Sequence, residues 1–184
     1  MNFYISIKRK LSLKKGVFES IKRRRSIRNY QSRPVDNKKV LRVLEAARLA
    51  PSATNRQPWS FIVVKNPKVK ESLRSSYNKD WFISAPIIIV ACANPDAAWV
   101  RKDGEKYWMV DVSIAMQNLV LTAQEEGLGT CWIGAFREEE AKKILGIPSN
   151  IRVVAMTPLG FPAEDKEAVT DRKPLEDIVH YNHW

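Results

Sequence analysis

The order of its segments predicts an α+β fold for this chain, and three features carry that reading. Helical and strand-like patterns follow one another along 184 residues with no internal repeat. The run Pro86 to Ala93 is apolar on both faces, as a central strand is. The longest helical pattern, Tyr107 to Glu126, carries apolar residues on two faces and so calls for burial, either centrally or against a second subunit. The length is one domain's worth, and 45% hydrophobic residues are ample for a core.

Taken in order, residues 1–16 read as a basic N-terminal extension ending at Gly16, and residues 17–184 as the folded domain. Val17 to Arg23 can form a short amphipathic helix. Asp36 is placed to cap a helix in which Val40, Leu44 and Ala47 recur at i, i+4 and i+7, stopped by Pro51. After a polar loop from Pro51 to Pro58, Ser60 to Lys65 has the β-branched and aromatic bias of a strand. Asn66 can cap the next helix, with Pro67 in its first turn, where a missing N–H costs nothing. In the long helix, Val112, Met116, Leu119 and Ala123 form one stripe and Ile114, Ala115 and Leu121 the other face; Gly127 ends it. A short strand near Thr130 to Ile133, a helix around Glu138 to Leu145, a strand from Arg152 to Leu159 and an irregular tail complete the chain.

Several classes are disfavoured. The longest apolar run, Phe82 to Ala93, is interrupted by Ser84 and Pro86 and falls short of the roughly 20 residues that span a bilayer, so it reads as a buried strand. Met1 to Ile7 is followed, not preceded, by basic residues, the reverse of a secretory signal, and the expected location is cytoplasmic. Cys92 and Cys131 lie far apart in apolar surroundings and read as buried free thiols. The net charge of +11 is concentrated early: Lys8 to Arg28 holds ten Lys or Arg against Glu19, leaving a nearly neutral body.

The chemistry is narrowed by what is missing. His180 and His183 are the only histidines and both sit in the tail, so a Ser-His-Asp or Cys-His arrangement in the core is not expected, and without nearby cysteines or well-placed acids neither is a metal site. There is no GxGxxG and no GxxxxGK[ST]. Side chains alone do not supply a reactive group, which directs attention to a bound cofactor. Arg24-Arg-Ser-Ile-Arg28 offers guanidinium forks and a hydroxyl to a phosphate or to carbonyl oxygens. The same run also reads as a solvated basic face, or as a phosphate contact with nucleic acid. Pro51-Ser-Ala-Thr-Asn-Arg-Gln-Pro-Trp59 packs small, polar and rigid residues between a helix and a strand, as binding loops do and as ordinary turns also do.

Four segments in this order resemble the FMN-dependent nitroreductase family: Arg24 to Arg28, Ala50 to Trp59, Gly127-Leu-Gly-Thr-Cys-Trp-Ile-Gly134, and the ending Arg172 to Trp184. The resemblance spans about Glu19 to Trp184. It implies a nitroreductase-like fold, a mixed, mainly antiparallel sheet flanked by helices, in an intertwined homodimer with FMN at the subunit interface. By that resemblance Arg24 binds the FMN phosphate, and Arg25 and Ser26 contact the phosphate, ribityl chain or ring. Arg28 reaches the pyrimidine end, where a fixed cation would stabilise negative charge developing on reduction. Pro51, Ser52, Ala53 and Asn55 of the partner subunit border the ring; Trp132, Ile133 and Gly134 present backbone groups to it, Gly134 allowing close approach; Arg172, aided by Lys173, returns to the phosphate.

The implied activity is electron transfer from NADH or NADPH, in two half-reactions on one flavin face, to a small planar acceptor such as a nitroaromatic, a quinone or a free flavin. Aromatic residues between Tyr77 and Phe82 and between Trp99 and Trp108 fall where the family varies its lid; they suit a stacked substrate or an ordinary core equally. The short stretch between Asp80 and Trp108 leaves little room for an inserted lid and predicts an open pocket. Two alternatives stand beside this reading: a specialised relative using FMN for dehalogenation or flavin breakdown, and a protein whose basic arm binds a polyanion.

Overall fold

The computed structural model describes residues 16–184, so the basic extension expected over residues 1–16 lies, but for Gly16, outside the described residues. Helix α1 (Val17–Arg23) is followed by an extended stretch and by α2 (Asn37–Arg48). The α2 start forms because the Asp36 carboxylate accepts from the Lys38 N–H at 2.8 Å. It ends before Pro51 is reached, since Leu49 turns its N–H back to the Glu45 and Ala47 carbonyls and a residue preceding proline disfavours the helical region.

Strand β1 (Trp59–Val64) leads into α3 (Pro67–Ser72), whose Asn66 cap accepts from Lys68 and Val69 with Pro67 in the first turn. Then come α4 (Asp80–Ser84), β2 (Ile87–Ala93), α5 (Trp108–Glu125), β3 (Gly129–Thr130), α6 (Glu138–Leu145) and β4 (Arg152–Gly160). Among the described residues the strands form one antiparallel sheet in the order β1-β2-β4-β3. A parallel bridge from Ser26 to Thr130 adds the segment after α1 to the β3 edge.

β2 is buried along its whole length because the pleat sends alternate residues to two cores. Ile87, Ile89, Ala91 and Ala93 pack with Val40, Val43 and Ala47 of α2 and Val112, Met116 and Leu119 of α5. Ile88, Val90 and Cys92 pack with Leu73, Phe82, Ala141 and Met156 on the other face. Both cysteines are free and buried, and burial pushes the Cys92 thiol up to about 11.

Three sequence expectations are corrected. Phe82 to Ser84 is helix rather than strand, because Phe82 is buried from the last turns before Pro86 while the ladder begins at Ile87. Ala115 belongs to the buried stripe of α5, so the outward face is Met109, Val110 and Ile114, with Leu121 partly covered. The strand expected over Thr130 to Ile133 breaks after Thr130, where the Cys131 N–H goes to the Thr157 hydroxyl at 3.2 Å; pairing resumes only at the Ile133 to Met156 bridge.

Candidate functional site

The arginine segment is extended and lies along the β3 edge, joined to it by the Ser26 to Thr130 bridge. The Ile27 N–H donates to the Thr130 carbonyl at 2.9 Å, and Ile27 turns inward against Gly129, where an added Cβ would stand 2.8 Å from Ile27 Cγ1. Strand alternation then sends Ser26 and Arg28 outward. Arg24, at the end of α1, makes no hydrogen bond or ion pair with the described residues through its side chain. Arg25 donates to the Glu167 carbonyl. The Arg28 guanidinium lies 5.8 Å from the centre of the Trp81 ring.

The backbone of Gly129 to Gly134 continues along the same edge. Ile133 is buried, and its neighbours Trp132 and Gly134 are exposed, again by alternation. A Cβ built on Gly134 would meet nothing nearer than Trp132 Nε1 at 4.0 Å, so the backbone there faces open space. The structure thus brings Arg24 to Arg28 together with Trp132 to Gly134.

The Pro51 to Pro58 loop lies elsewhere. It turns sharply, with Thr54, Asn55 and Gln57 at φ of 49°, 57° and 49°. The Ser52 hydroxyl accepts from the Gln57 N–H at 2.9 Å, and Asp111 of α5 accepts from the Ala53 N–H at 2.9 Å. The loop runs straight into β1, at the opposite edge of the sheet from β3. Three strand spacings of roughly 4.8 Å put about 14 Å between those edges. Pro51, Ser52, Ala53 and Asn55 are therefore not joined to the arginines within one chain. Arg172 and Lys173 are exposed in the tail and form no hydrogen bond or ion pair among the described residues.

Tyr77, Trp81 and Phe82 pack edge to face, with Phe82 fully buried, and Trp99 packs edge-on against Tyr107 at 5.0 Å. Trp81, facing Arg28, borders the arginine edge.

Four site residues were missed by sequence reasoning. Asp111 is 1% exposed, and its second carboxylate oxygen has no hydrogen-bond partner among the described residues. A lone acid inside an apolar helix pattern was the available signal. Glu164 and Lys166 lie in a strap that laces the arginine segment, and nothing in the sequence marks them. Tyr30, buried below this edge, donates to the Ile27 carbonyl at 2.6 Å; burial raises its pKa far above the ordinary phenol value.

These features suit a phosphorylated, planar ligand: the guanidinium groups of Arg24, Arg25 and Arg28, which have no acidic partner among the described residues, beside an open backbone strip bordered by a ring. The nitroreductase family model matches residues 21–81 and 70–161. The chain belongs to the nitroreductase family. A relative from Archaeoglobus fulgidus, provisionally named NADH dehydrogenase/NAD(P)H nitroreductase, is 35% identical over 167 residues, covering 88% of this chain and 94% of its own. A nitroreductase family protein from Clostridium difficile 630 superposes with a TM-score of 0.84 at 32% identity, covering 92% and 99% of the two chains. An FMN-dependent nitroreductase from C. difficile R20291 superposes at 0.79 with 30% identity, covering 91% and 99%. The nitroreductase match takes in the arginine edge, the Pro51 loop and the Gly134 strip; Arg172 and Lys173 lie beyond it.

Proposed function

We propose that this chain is an FMN-dependent NAD(P)H oxidoreductase, working as a homodimer whose two sites each draw residues from both copies. The observation that carries the reading is the placement of two candidate groups at opposite edges of one sheet, so that a complete site needs the loop of a second copy. Surface composition supports the second copy. Val17, Phe18 and Ile21 of α1, Met109 and Val110 of α5, and Leu175, Ile178, Tyr181 and Trp184 of the tail are exposed in the single chain. So much large apolar surface calls for a cover.

In this reading Arg24, Arg25 and Ser26 hold the FMN phosphate, with Arg172 and Lys173 closing on it. Guanidinium forks match phosphate geometry, and Arg24, Arg25 and Ser26 follow one another along one segment. Trp132, Ile133 and Gly134 present backbone groups along the ring, where the missing side chain at Gly134 leaves room. The partner's Pro51 loop, stiffened by its turn and by the Ser52 and Asp111 hydrogen bonds, borders the other side. FMN, when bound, accepts hydride from NADH or NADPH and passes the electrons to a second substrate. Arg28 holds a positive charge at the pyrimidine end, and its effect is electrostatic. The described residues place no long lid over the strip, so donor and acceptor take turns at one open face, and small planar acceptors (nitroaromatics, quinones, free flavins) fit it. Among the described residues no helix is long and apolar enough to cross a membrane; a cytoplasmic location remains part of this proposal.

The test is an absorbance spectrum of the purified protein before and after anaerobic NADH or NADPH, with the molar mass measured in solution. Flavin bands that bleach on reduction, one FMN per chain and a dimeric mass support the reading. A protein that neither takes up FMN nor consumes nicotinamide overturns it.

A further inference from the structure

The segment from Phe161 to Glu167 runs antiparallel beside residues 31 to 25 and is laced to them at nearly every step. The Gln31 N–H donates to the Phe161 carbonyl, Tyr30 bridges Pro162, and the Ala163 N–H donates to the Asn29 carbonyl, the two hydrogen bonds at 2.9 Å. Beyond Ala163 the pattern changes. Side chains replace backbone: the Arg28 N–H donates to Glu164 Oε1 at 2.7 Å, Lys166 Nζ pairs with the same oxygen at 3.0 Å, and Lys166 Nζ also donates to the Ser26 carbonyl at 3.0 Å. One ion pair therefore spans the Ser26 carbonyl and the Arg28 N–H, while the Ile27 N–H between them goes to Thr130. Both side chains are about three-quarters shielded from solvent.

We propose that Glu164 and Lys166 form a clasp that positions the Ser26 to Arg28 backbone, setting Ser26 for the FMN phosphate and Arg28 for the pyrimidine end of the ring. This rests on the flavin reading above and adds to it two positioning residues that do not themselves touch the ligand. Edge strands held only by Ile27 on one side have a free side, and a loosened edge would spread the arginine forks. A carboxylate is suited to the task because it can accept from a backbone N–H and an ammonium together. Its charge matters as well: Glu164 offsets Lys166, so the clasp adds no net charge to a site already rich in cations. The Arg28 N–H, followed by the Lys166 ammonium, holds the Glu164 carboxyl below the usual carboxylate range, which keeps it ionised at neutral pH.

The clasp also continues into the tail, since Glu167, next after Lys166, receives Arg25. Loosening it therefore disturbs the course of the chain toward Arg172 and Lys173. Ligands that carry a phosphate should feel this more than ligands that lack one.

The experiment compares the dissociation constants of FMN and riboflavin for flavin-stripped full-length protein, with the melting temperature of each variant. Glu164→Ala should weaken FMN about tenfold or more and riboflavin, which meets Arg28 but has no phosphate for Arg25 and Ser26, at least threefold less than FMN, and Lys166→Met should follow the same pattern more weakly. Glu164→Gln, which keeps an acceptor for the Arg28 N–H, should restore most of the FMN affinity lost in Glu164→Ala. Wild-type affinity for FMN in Glu164→Ala overturns the clasp and leaves the flavin site standing. Equal losses for FMN and riboflavin, together with a large fall in melting temperature, also overturn it, since that is the mark of a general structural role. A wild-type protein that takes up no FMN overturns the flavin reading and the clasp with it.

Discussion

Single positions at the site edges are held by sterics that make sharp predictions. Gly129 has no room for a side chain, because a Cβ would stand within 3.0 Å of three Ile27 side-chain atoms. Gly129→Ala should therefore push the arginine strand off β3 and cost on the order of 1–3 kcal/mol of stability, as overpacking does. Thermal unfolding and FMN titration would read both effects; an unchanged melting temperature would refute the close approach. Thr54 is the opposite case. It is a β-branched residue at φ 49°, in a region that costs L-residues roughly 1–2 kcal/mol. Asparagine tolerates that region better, so Thr54→Asn should raise stability by about 0.5–1 kcal/mol, measured by denaturant unfolding. A loss of stability would mean that the Thr54 hydroxyl, which accepts from Arg56 at 3.3 Å, outweighs the strain.

At the scale of elements, helix starts and the central strand were legible because their signals are local. Asp36 before α2 and the Asn66-Pro67 pair before α3 each carry their own capping chemistry, and β2 carries its double burial in composition alone. The Cys131 break was not legible, since it depends on a hydroxyl 26 residues away on β4. Nor was the Glu164 clasp, whose partners are more than 130 residues distant. The lone acid Asp111 was visible but had no reader until the loop folded against it. The join between α6 and β4 adds a test in pH. Glu138 accepts from Arg152 at 2.9 Å twice and from the Val153 N–H at 2.8 Å, and the Arg152 hydrogen bonds hold its carboxyl below the usual range. A carboxyl so depressed contributes stability that is fully present above its unfolded value of about 4.3 and is lost as pH falls through the folded one. The melting temperature of Glu138→Gln should thus lie below wild type at pH 7, and the gap should close at strongly acid pH. A gap independent of pH would show that Glu138 acts by packing.

For the whole molecule, the four matching segments were readable in order along the sequence, but that the Pro51 loop serves the partner's site was implied only by the resemblance and could not be derived from the residues. That information is topological. It follows from the β1-β2-β4-β3 order, which sets the Pro51 loop at one edge and the arginines at the other. Subunit mixing turns this into a decisive measurement. Arg28→Ala damages the arginine side of a site, and Asp111→Ala removes the acceptor that anchors the Ala53 N–H of the loop. In a dimer whose sites are shared, a mixed pair holds one site with both defects and one with neither. Random exchange between equal amounts of the two variants makes half the dimers mixed, so about a quarter of all sites should be restored, as isologous pairing requires. Activity should rise from the level of either variant toward that fraction after the subunits are allowed to exchange. If each site were built within one chain, every site in the mixture would keep one defect, and mixing would leave activity at the average of the two variants.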